Sequence, residues 1–90
     1  MFQAIVTKFI GPTNFRGSRV KATAAAGSVT LNWDHALNSE ANHAAAAKAL
    51  AEKYEWRGEW HGGGLPSNSG NAYVCSDIGG HPAFITYGRE

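Results

Sequence analysis

The chain of 90 residues holds one cysteine, Cys75. A lone thiol cannot close a disulfide within the chain, which excludes the stapled frameworks of small secreted domains. No apolar run approaches the ~20 residues that a membrane-spanning helix needs. The segment 1–6 has neither a charged leader nor a long apolar stretch, so no signal peptide is expected. These readings point to a cytoplasmic protein with no membrane partner. Metal-binding spacings are missing as well. There is no Cys-x-x-Cys, no His-x-x-x-His and no His-Glu-x-x-His, so no metal site is expected. A Gly-x-x-x-x-Gly-Lys phosphate loop and a Gly-x-Ser-x-Gly nucleophile elbow are also absent. Without a nucleophile–base pair or a metal cluster, the expectation is a protein that is not an enzyme and carries no cofactor.

What the chain does contain is enough for one domain, 1–90, with one small core. The stretch 38–56 is its clearest element. It runs through Ala44-Ala45-Ala46-Ala47 and then Leu50, and alanine and leucine are among the best helix formers. Asn38 or Ser39 can cap its start, because a short side-chain oxygen accepts from a free N–H of the first turn. At about 100° per residue, His43, Ala47, Leu50, Ala51 and Tyr54 fall on one face. Glycine at 58 suits the left-handed residue that commonly ends a helix.

The remainder reads as strand and turn. Residues 2–10 are rich in β-branched and aromatic types, with Phe2, Val6 and Ile10 on one side and Ile5 and Phe9 on the other. A strand covered on both faces has this look, so the first strand is expected to be central. Gly11-Pro12-Thr13-Asn14 is a turn signal. A second strand follows at 15–24 and a third at 28–33, the latter with Val29, Leu31 and Trp33 on one face. After the helix, 59–61 reads as a short strand and the glycine-rich 62–71 as a mobile loop. Strands at 72–78 and 83–87 flank a hairpin turn at 79–82. The fold class is therefore α+β: a single helix packed on an antiparallel sheet of about five strands, in the order ββ(β)-α-(β)ββ. Leu50 and Tyr54 are expected to pack on Val29, Leu31 and Trp33.

Charge is distributed unevenly. Residues 1–33 carry Lys8, Arg16, Arg19 and Lys21 with no acid, while 34–90 carry four bases against seven acids. Arg16, Arg19 and Lys21 lie within six residues beside Phe15, and Arg19 and Lys21 share a strand face. Cations fix a phosphate backbone and an aromatic ring can stack a base. The same surface also suits an acidic protein partner, and the pI of about 8.0 is low for a dedicated nucleic-acid binder. Arg57 and Trp60 follow the helix, and an exposed Trp beside an Arg is the composition of an interface anchor. The candidate binding residues are thus Phe15, Arg16, Arg19, Lys21, Arg57 and Trp60. His43 reads as a core-edge histidine bonded to Asp34, to an asparagine or to backbone. Cys75 reads as a structural, half-buried thiol.

Several of these segments together are familiar. Gly11-Pro12-Thr13-Asn14, Arg16-Gly17-Ser18-Arg19, Lys21-Ala22, Trp33-Asp34-His35-Ala36-Leu37 and Asn42-His43 resemble small proteins carried by phages and plasmids of proteobacteria. The similarity runs from near Gln3 to near Trp60. What the resemblance implies is a setting: such proteins often inhibit host defence, anti-CRISPR proteins among them, and act by binding. Read this way, the partner is a bacterial protein or ribonucleoprotein complex, inhibited through protein–protein contact. The alternative is a nucleic-acid-binding accessory protein that uses the basic second strand.

Overall fold

A computed structural model describes residues 4–66, 70–75 and 82–87. Its elements are β1 (Ile5–Ile10), β2 (Arg19–Ala24), β3 (Gly27–Asn32), α1 (Ser39–Lys53), β4 (Arg57–Gly64), β5 (Asn71–Cys75) and β6 (Phe84–Tyr87). All six strands join one sheet in the order β3-β2-β1-β5-β4-β6. Every neighbouring pair is antiparallel. The protein is therefore α+β, and β1–β2–β3 form the meander that short connections favour.

Three features of the sheet differ from the sequence reading. The sheet has six strands, because 57–64 is a full strand and not a short piece followed by a loop. Gly62, Gly63 and Gly64 pair with Tyr73, Ala72 and Asn71. A glycine in a strand offers nothing to pack, but here the Tyr73 ring lies across Gly62 and supplies the missing surface. A Cβ at Gly62 would collide with that ring, its Cδ1 lying 2.6 Å away. The connection from β4 to β5 is closed by Leu65 N–H donating to Gly70 O at 2.9 Å. Second, β1 is central, between β2 and β5, but only one of its faces is covered. Ile5 and Thr7 are buried while Val6 and Lys8 are exposed. Third, β5 and β6 are not paired as the expected hairpin, because β4 lies between them and pairs with both. Phe2, Ile78 and residues 79–81 of the turn expected at 79–82 lie outside the described residues.

The helix starts at an Asn38 cap, whose Oδ1 accepts from the Ala41 N–H at 2.8 Å. Its end is not at Gly58. Glu55 takes the left-handed conformation (φ 58°), two residues past Lys53. Gly58 is needed for a different reason: a Cβ there would meet Cys75 Sγ.

The core is asymmetric in size. The helix contributes small residues (Ala46, Ala47 and Ala51), with Leu50 as its one large fully buried apolar side chain. The sheet contributes the bulk: Ile5, Val20, Trp60, Tyr73 and Phe84. Alanines let the helix axis approach the sheet closely, and the aromatic rings fill the space between. Tyr54, Trp56, Trp60, Phe84 and Tyr73 form a continuous run of rings with centroids 5.5–6.2 Å apart. Leu50 is buried as expected. Tyr54 is half-buried, and its hydroxyl donates to Ala26 O at 3.0 Å.

Candidate binding surface: the helix-free face of the sheet

Strand alternation assigns each side chain to one of two faces. Ile5, Thr7, Val20, Ala22, Trp60, Tyr73, Phe84 and Thr86 take the helix side and are buried. Their neighbours in sequence take the other side, which no described element covers. Arg19 and Lys21 stand there on β2, as their spacing predicts. The register brings in a residue that the sequence reading did not select. Lys8 on β1 is the Cα partner of Lys21, and Ile10 is the partner of Arg19. Three cations from two neighbouring strands thus form one patch. The signal for Lys8 was available: it has the same parity as Val6 in its strand. Only the pairing register reveals what lies opposite, and that depends on the 11–18 loop.

The loop is held by Thr13. Its N–H donates to Arg16 O at 2.8 Å, and its hydroxyl accepts from Arg16 N–H at 3.0 Å and Phe15 N–H at 3.3 Å. Phe15 and Arg16 therefore belong to this loop and not to the second strand. Phe15 is 95% exposed, and Arg16 beside it is exposed as well. They stand at the end of the sheet where Arg19 begins β2, on the rim of the basic patch.

On the β3 side the cations face Asn32 and Thr30, and toward β5 the same face turns aliphatic. Val6 is two residues from Lys8 on β1, and Val74 on β5 is its diagonal neighbour through Ala72. Val6, Val74 and Ile85 are each roughly two-fifths to one-half exposed. Ile85 lies opposite Glu59, and Tyr87 lies opposite Arg57. Among the described strand residues of this face, Glu59 is the one acid, against Lys8, Arg19, Lys21 and Arg57.

The remaining expectations divide. Arg57 is exposed on this face, but β4 is three strand positions from β2, roughly 14 Å at the usual strand spacing. It is not part of the Lys8–Lys21 patch. Trp60 is not an exposed anchor: it is fully buried in the core, and its Nε1 donates to Thr86 Oγ1 at 2.9 Å. The physical reason is register: Trp60 pairs with Cys75 on one side and Phe84 on the other, which puts its ring on the helix side of the sheet. Cys75 is half-buried, with Sγ 3.8 Å from Arg57 O. His61 lies on a strand opposite Val74, and its Nε2 is shielded from solvent without a hydrogen-bond partner.

His43 is buried, and its partner is neither Asp34 nor an asparagine. Nδ1 lies 2.7 Å from Thr7 Oγ1, and the Trp33 ring packs edge-on against the imidazole. Burial lowers the His43 pKa from its ordinary 6.5, and the Glu40 charge works in the opposite direction. Asn42, which the sequence reading passed over, is the residue that ties down 34–38. Its Oδ1 accepts from Asp34 N–H at 2.9 Å, and its Nδ2 faces the carbonyls of Asp34, Leu37 and Asn38 at 3.0–3.3 Å. Among the described residues, no three His, Cys, Asp or Glu side chains converge as metal ligands would, and no helix is long and apolar enough to cross a membrane.

No protein-family model, curated protein or solved structure matches the chain.

Proposed function

We propose that this is a non-enzymatic binding protein whose helix-free sheet face docks against an acidic patch of a partner protein. The carrying observation is the direct opposition of Lys8 and Lys21, with Arg19 beside them, on a face that also carries exposed Val6 and Val74. Like charges directly opposite one another cost stability in an antiparallel pair. An acidic partner surface would offset that cost on binding. Val6 and Val74 next to the cations give the contact an apolar centre with a charged margin, which is how protein interfaces are built. A single-stranded nucleic acid asks instead for aromatic stacking platforms between the cations. On this face Tyr87 is the one Phe, Tyr or Trp among the described strand residues, and it lies across the sheet from the lysines. In the setting that the phage and plasmid resemblance suggests, the partner is a component of a bacterial defence complex, and docking inhibits it.

The test is a pull-down from a bacterial host with the parent chain, the Lys8→Glu/Lys21→Glu variant and a Lys48→Glu control on the helix. A partner retained by the parent and the control but lost with the double variant supports the proposal. Equal retention by all three refutes it. A gel shift on the same proteins separates the nucleic-acid reading. Binding to DNA or RNA that falls steeply with salt, and vanishes in the double variant, would assign the patch to phosphates.

A further inference from the structure

On the other side of the sheet, at the start of the helix, lies a cavity of about 370 Å³. Its described lining includes Glu40, Ala41 and Ala44 from the start of α1 and Gly62, Asn71 and Tyr73 from the sheet. The sequence explains why it is open. Between Glu40 on the helix and Tyr73 on β5 the facing positions Ala41, Ala44 and Gly62 are small, and this leaves the gap. The size falls in the range of small-molecule sites, ~300–1,000 Å³.

The polar groups around it include both donors and acceptors but only one charge. Asn71 Nδ2 points one way to Tyr73 Oη, at 3.1 Å, and the other way to Glu40 Oε2, at 3.5 Å. An amide has two N–H groups, so these contacts use both. Asn38 Oδ1 is engaged by the helix cap. What remains is the Glu40 carboxylate, which has more lone pairs than Asn71 can fill, the Asn71 side-chain carbonyl oxygen, and two neutral donor groups, the Tyr73 hydroxyl and the Asn38 amide. Glu40 is the one charged residue of the described lining. An anion has no cationic side chain to meet among this lining, whereas a cationic donor meets a carboxylate at one end with the methyl groups of Ala41, Ala44 and Ala83 beside it.

We infer that this cavity is a binding site for an ammonium or guanidinium group carried on a short hydrocarbon stem. The cationic head bonds to Glu40 and the Asn71 carbonyl, and the stem lies against Ala41, Ala44 and Ala83. The same chemistry comes from two sources, a free alkylamine or a lysine or arginine side chain of a partner. The site lies on the opposite side of the sheet from Lys8 and Lys21, so it stands or falls independently of the docking face.

The test is an NMR titration of the full chain with n-butylammonium and n-butylguanidinium, with n-butanol and butyrate as controls of equal stem. The expected result is a saturable shift of the Ala41, Ala44, Gly62 and Asn71 amides with the two cations. Butanol should bind at least about tenfold more weakly, the usual worth of one charge-assisted bond. Glu40→Gln should cause the same loss. Ala44→Leu should block binding by filling the stem site while leaving the carboxylate in place. Capped lysine and arginine amides then separate the sources: tighter binding than the alkyl cations assigns a partner's side chain, and weaker binding assigns a free amine. Equal response to butanol or butyrate, undiminished binding by Glu40→Gln, or no saturable shift with either cation would overturn the assignment.

Discussion

Lys8 and Lys21 face each other as Cα partners across the β1–β2 ladder, on the side of the sheet that the helix leaves open. Opposed like charges destabilise a cross-strand pair by about 0.2–1 kcal/mol. Lys8→Glu converts the repulsion into an attraction and should raise the urea midpoint. The same change should weaken partner binding. A gain in stability with a loss of binding is the signature of a residue placed for function. A loss of both would mean that Lys8 supports the fold.

The Thr7–His43 contact gives the core a pH dependence. Burial lowers the folded-state His43 pKa below 6.5, so the unfolded chain takes up its proton first as pH falls. The stability contributed by neutral His43 is complete above about pH 6.5 and is lost as pH drops through the folded-state value. Urea melts at pH 7.5 and 5.5 should show a smaller difference for His43→Gln than for the parent. Thr7→Val keeps the shape but removes the partner of Nδ1. It should cost about 1–3 kcal/mol at neutral pH, the penalty for a buried polar group left unpaired.

Gly62 tests the strand assignment of the glycine run. The amides of Gly62, Gly63 and Gly64 should have order parameters near ~0.85, as rigid backbone does, and not below ~0.6 as in a mobile loop. Gly62→Ala should destabilise the protein, because the new methyl group displaces the Tyr73 ring. A neutral Gly62→Ala would mean that the ring does not lie over the glycine.

Trp60 and Phe15 should respond in opposite ways. Trp60 is fully buried and holds Thr86 through its indole N–H, so Trp60→Ala should cost about 3–5 kcal/mol. Leu50→Ala should cost about 2–5 kcal/mol for the same reason. Phe15→Ala should change stability by no more than about 0.5 kcal/mol, as exposed positions do. If Phe15 belongs to the docking rim, its loss should appear in partner binding alone.

The helix was legible from composition alone, because its alanine run, Asn38 cap and apolar stripe agree. The β1–β2–β3 meander was legible from alternation and short connections. What failed was position 60 and the glycines after it. Glycine composition reads as loop when taken locally, but Gly62 is held in the sheet by Tyr73, eleven residues further on. The burial of Trp60 was hidden because its face is set by pairing with Cys75 and Phe84, both distant in sequence. The basic patch was half legible. Arg19 and Lys21 share a strand and show in sequence, whereas Lys8 joins them only through a pairing register set by the 11–18 loop. His43 was placed at the core edge, but its partner Thr7 is 36 positions away, beyond the reach of local pattern.

The most direct test of the docking face uses the four lysines as reporters. Lys8 and Lys21 stand on the helix-free face, and Lys48 and Lys53 belong to the helix. Their rates of amine acetylation can be read by mass spectrometry with the protein free and bound to the partner recovered by pull-down. The account predicts strong protection of Lys8 and Lys21 in the complex, with Lys48 unchanged. Protection of Lys48 with Lys8 and Lys21 unaffected would contradict it.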